Sequence, residues 1–99
     1  MSLEREIDRG VKASYLLSDP LYVESVGKVR QGIHDRFASA PLSDKEGIYT
    51  LRLMLKVLDD IEGNIREVAQ TGKLAEQQLK DERERAFSFG KLFNFGVRR

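Results

Sequence analysis

Residues 43–79 read SDKEGIYTLRLMLKVLDDIEGNIREVAQTGKLAEQQL, and the spacing of their apolar residues decides the fold. Apolar side chains recur at Leu51, Met54, Leu58, Ile61, Ile65 and Val68. The pattern continues through the small residues Gly72 and Ala75 and ends with Leu79. Steps of three and four alternate throughout. Such a seam, held for about four heptads, marks a helix lying along another helix. Ile48 and Leu55 widen the stripe near its start. Ser43-Asp44-Lys45-Glu46 opens it as a capping box, with the serine hydroxyl bonding the Glu46 amide and the glutamate reaching back. Pro41 stands just before, where a turn belongs. Beyond Leu79 the run KDERER reads as a solvated helix end near Arg85. Gly72 is the competing signal, since a glycine there could end the helix and fold the remainder back. Continuation is the favoured reading.

The first half supplies the partner. Asp19-Pro20 has the form of an N-cap followed by proline at the first helical position. Apolar residues follow at Tyr22, Val23, Val26, Val29, Ile33 and Phe37, and precede at Leu3, Ile7, Val11, Tyr15 and Leu16. Proline removes a backbone bond and clashes with the preceding turn, so this arm is two helices or one helix kinked near Pro20. In an antiparallel pair, facing residue numbers sum to a near constant. Phe37 then faces Ile48, Ile33 faces Leu51, Val26 faces Leu58 and Tyr22 faces Ile61. Tyr15 faces Val68, Val11 faces Gly72, Ile7 faces Ala75 and Leu3 faces Leu79. The predicted fold is therefore all-α: a long antiparallel helical hairpin over residues 1–85, with arms of about 3–38 and 43–85. Two helices alone leave apolar surface at Leu17, Leu21, Leu53 and Val57, which points to self-association or docking on a larger protein.

The last fourteen residues, AFSFGKLFNFGVRR, differ in kind. Phe87, Phe89, Phe93, Phe95 and Val97 alternate with the period of a strand, and Gly90 and Gly96 disfavour helix. Lys91, Arg98 and Arg99 make the segment basic. Residues 86–99 are thus expected to be an extended aromatic tail that docks on a partner through Phe87, Phe89, Leu92, Phe93, Phe95, Val97, Arg98 and Arg99. Packing back onto the chain's own hairpin is the competing expectation.

Composition narrows the functional classes. The chain has 99 residues, no cysteine, one histidine and a formal net charge of +1. It makes one small domain, without disulfides or a thiolate metal site. The near-neutral charge gives no strong field toward nucleic acid or membrane. No apolar run approaches the ~20 residues that span a bilayer. The carboxylates Asp59, Asp60, Glu62, Glu67, Asp81, Glu82 and Glu84 interleave with basic residues, as on a solvated helix face. His34 stands alone beside the turn. No catalytic, cofactor or metal site is expected, and the chain is not expected to be an enzyme. Lys28, Arg30, Arg52 and Lys56 are the candidate phosphate contacts for a nucleic-acid reading, although Asp35, Glu46, Asp59 and Asp60 share their region.

Asp19-Pro20-Leu21, Ser39-Ala40-Pro41 with Asp44 and Glu46-Gly47, the stretch Leu51 to Leu58, and Thr71-Gly72-Lys73-Leu74-Ala75 carry a further signal. Over residues 19–79 the chain resembles small helical proteins encoded among the virion genes of tailed bacteriophages and prophages. It departs where relatives often carry an aromatic residue, commonly tryptophan, before the turn; Phe37 is the nearest equivalent here. The tail from Phe87 lies outside the resemblance. What the resemblance implies is a virion or assembly component, located in the virion or in the cytoplasm of the infected bacterium. Its partners would be capsid, portal or head–tail proteins, or copies of itself. A small-terminase-like DNA-packaging or DNA-binding accessory is the alternative, and a host-takeover regulator binding a bacterial protein is the third reading.

Overall fold

Each helix starts where the local chemistry supplies a cap. The computed structural model describes residues 2–97, with side chains as far as Gly90, and every regular element among them is a helix. Helix α1 spans Leu3–Ser18. Its N-cap is Ser2, whose hydroxyl accepts from the Arg5 amide at 3.2 Å, and Glu4 and Glu6 sit in the positive first turn. Helix α2 spans Pro20–Ser39, so the first arm is two helices. Asp19 divides them. Its extended backbone is what a residue before proline adopts, and its carboxylate accepts from the Leu21 and Tyr22 amides at 2.9 and 3.0 Å.

Helix α3 spans Lys45–Val97, 53 residues. The expected capping box at Ser43 does not form the boundary. Asp44 caps the helix instead, accepting from the Gly47 amide at 3.0 Å, one residue later than the sequence pattern suggested. Aspartate is as good a cap as serine, and here it stands next to the first helical residue. The helix runs without a break through Gly72, as favoured above.

The extended C-terminal tail is overturned: the backbone of residues 86–97 continues α3 as helix. The physical reason is hydrogen bonding. An isolated strand leaves its amides and carbonyls without a ladder partner, whereas a helix satisfies them within itself. Propagating an existing helix also avoids the cost of a new nucleus, so two glycines do not stop it. The side chains of Leu92, Phe93, Phe95 and Val97, and Arg98 and Arg99 altogether, lie outside the described residues.

The molecule is elongated, 85 × 25 × 19 Å. A 53-residue helix at 1.5 Å per residue accounts for the long dimension, about 80 Å. Both α1 and α2 contact α3, and they run opposite to it: Gly10 meets Gly72, whereas Arg30 meets Asp59.

The core is thin and made of small residues. Ala13, Ile33, Leu51, Ala69 and Ala75 are its buried apolar members, joined by Gly10 and Gly72. Where α1 crosses α3 the backbones almost touch. A Cβ built on Gly10 would lie 2.6 Å from the Gly72 Cα, and one built on Gly72 would lie 3.0 Å from the Glu6 carbonyl oxygen. Only glycine at both positions permits that approach. Along α2 the larger Ile33 and Leu51 fill the space between the helices.

Candidate docking surfaces

Along α3 the buried line follows Leu51, Leu55, Leu58, Glu62, Ile65, Ala69, Gly72 and Ala75. It departs from the expected seam at three places, the mildest being Ala69, buried beside the half-buried Val68. Met54 and Ile61 are exposed, and Leu55 and Glu62 take the inward positions. The run LRLMLKVL offers two overlapping stripes, and a charged residue at position 62 hid the correct one.

Glu62 is the informative member. Its side chain retains 13% of its exposure, far from the solvated face expected of it. It accepts from Arg30 of α2 and lies 3.6 Å from Arg66 on its own helix. Arg30 also donates to Asp59 at 2.7 Å. These residue numbers sum higher than the apolar pairs because both side chains lean toward the N-termini of their opposed helices and meet midway. The hydrogen bond to Asp59 and then that to Glu62 hold the Arg30 guanidinium above its ordinary pKa range.

Other expected core residues distribute unevenly. Leu3, Ile7, Tyr22, Val26, Phe37, Ile48, Leu58, Ile65, Val68 and Leu79 are half-buried, and Ile33 and Leu51 are buried. Val11 and Tyr15 are exposed, because the Gly10–Gly72 contact sets α1 one residue off the expected Val11–Gly72 pairing. That rotation leaves an open groove of about 280 Å³ between α1 and α3. Its floor is Gly10, Ser14, Ala69 and Gly72, and its walls are Ile7, Val11, Tyr15, Lys73 and Glu76.

Among the described residues, two further surfaces are exposed. Leu53, Val57 and Ile61 stand on an exposed side of α3, with Lys56 and Asp60 beside them, and Leu53 also borders a groove with Arg52 and Asp59. Among the described residues, α3 continues past the start of α1 with no other helix beside it, and Phe87 and Phe89 there are each 72% exposed. Isolated exposed phenylalanines at this level mark an interaction surface better than scattered aliphatics do.

Three of the four candidate phosphate contacts have a carboxylate of the chain beside them. Lys28 pairs with Glu24 at 3.2 Å, Lys56 pairs with Asp60 at 3.8 Å, and Arg30 is held as described. His34 is exposed on α2. Among the described residues no group of histidine, aspartate and glutamate is arranged to hold a metal ion, and no helix is long and apolar enough to cross a membrane. No protein-family model, curated protein or solved structure matches this chain.

Proposed function

We propose that this chain is a non-enzymatic structural or assembly protein of a tailed bacteriophage, acting as a rigid antiparallel helical hairpin. Its C-terminal helical end engages a virion protein of the capsid, portal or head–tail region, or another copy. The observation that carries the reading is the lone projection of α3 beyond α1, with Phe87 and Phe89 exposed on it. A helix end carrying exposed aromatic side chains suits the helix-in-groove mode of recognition. The resemblance over residues 19–79 supplies the phage context.

The test is mass spectrometry of purified particles with and without residues 87–99. The full chain is expected at a fixed stoichiometry, and the truncated chain is expected to be lost from particles while its melting temperature is kept. Absence of the full chain from particles, with capture of a bacterial protein, would favour the host-regulator reading. The DNA-accessory reading predicts salt-dependent retention on duplex DNA that Arg52→Glu with Lys56→Glu abolishes. The pairing of Lys28, Arg30 and Lys56 with carboxylates supports ranking it second.

A further inference from the structure

We infer that a second copy of this chain docks antiparallel on the exposed ridge Leu53–Val57–Ile61 of α3, about a two-fold axis at Val57. These three residues are four apart, so they form one i±4 ridge, the kind that interdigitates with its like in the commonest class of helix packing. They are 45%, 57% and 51% exposed, although Leu51 on the same helix is buried. No part of α1 or α2 covers them.

Charge selects the occupant and its direction. Lys56 flanks the ridge toward its N-terminal end and Asp60 toward its C-terminal end, while Asp59 is held by Arg30 of the same chain. A parallel copy in register would set like charges together. An antiparallel copy centred on Val57 sets Leu53 against Ile61 of the other copy, Val57 against its counterpart, and Lys56 against Asp60 of the other copy. Lys56 and Asp60 already attract each other within the helix at 3.8 Å, so the pairing exchanges partners for these two side chains. A self-complementary patch of this kind is what an isologous two-fold interface requires. The ridge is shorter than a standard interface, so the dimer is concentration-dependent.

This deepens the assembly reading and rests on it for its purpose, but the dimer is measured on the isolated full-length protein. Sedimentation equilibrium is expected to show a monomer–dimer equilibrium. Val57→Asp, which puts two carboxylates on the axis, abolishes it. Lys56→Glu weakens it on the order of tenfold, and adding Asp60→Lys to the same chain restores it. The chain has no cysteine of its own. A mixture of Leu53→Cys and Ile61→Cys chains should therefore cross-link to each other faster than Leu53→Cys chains cross-link among themselves. A monomer at every concentration, a dimer that survives Val57→Asp, or preferential cross-linking of position 53 to itself overturns the inference. Incorporation into particles is scored separately, so either reading can fail while the other stands.

Discussion

At the scale of single residues, two polar groups on the inner line of the rod behave in opposite ways. Glu62 is nearly enclosed but answered by Arg30 and Arg66. A carboxylate so placed is costly only when its partner is removed. A double-mutant cycle of Arg30→Ala and Glu62→Ala, read from melting temperatures, is expected to show clear coupling. The exposed Lys56–Asp60 pair should show none beyond error in the same assay. The Tyr22 hydroxyl oxygen, by contrast, is buried with no hydrogen-bond partner among the described residues. An unanswered buried hydroxyl weakens a fold, so Tyr22→Phe is expected to leave stability unchanged or raise it by up to about 1 kcal/mol in chemical denaturation.

At the scale of elements, the two halves of the first arm hold α3 by different means. Helix α1 uses a backbone-to-backbone crossing at Gly10 and Gly72, and α2 uses larger side chains and the Arg30 bridge. Alanine is a better helix former than glycine by about 1 kcal/mol. At Gly72 that gain is overwhelmed, because the new methyl would meet backbone at 2.6 Å. Gly72→Ala is expected to lower unfolding free energy by about 1–3 kcal/mol. Gly63→Ala, where nothing lies within 4 Å, is expected to raise it by up to about 1 kcal/mol. Urea denaturation of the two variants side by side checks the contrast. The helices themselves were legible from capping and period, above all Asp19-Pro20 and the steps from Leu51. The inner line was less legible, because periodicity counts apolar residues and could not credit Glu62 without knowing that Arg30 stands across from it. Alternation misled at the C-terminus for a related reason. The order Phe87, Phe89, Phe93 reports side-chain spacing, but the backbone's need for hydrogen-bond partners decided the conformation.

At the scale of the molecule, α3 is longer than what covers it. By the Gly10–Gly72 register, Leu3 reaches the level of Leu79, and about 18 residues extend past it, some 27 Å at helical rise. Removing residues 87–99 should therefore reduce helical circular dichroism in proportion to the residues lost without moving the melting midpoint. A fall in the midpoint of more than a few degrees would mean that this end is part of the folding unit. The exposed aromatics Phe87 and Phe89 were visible in the sequence as apolar residues without a core. Their display on a helix was not, since it depends on how far the preceding helix propagates.

The glycine notch has a metric consequence. Because Gly10 and Gly72 admit no bulk between them, α1 cannot slide along α3 by a turn without driving Cβ atoms into backbone. The length by which α3 protrudes past α1, some 27 Å, is thereby fixed, whereas the span of about 45 Å from Val57 to Phe87 belongs to α3 alone. The rod is a gauge whose zero mark is a pair of missing side chains, and one methyl group at that mark would alter its calibration in whole helical turns.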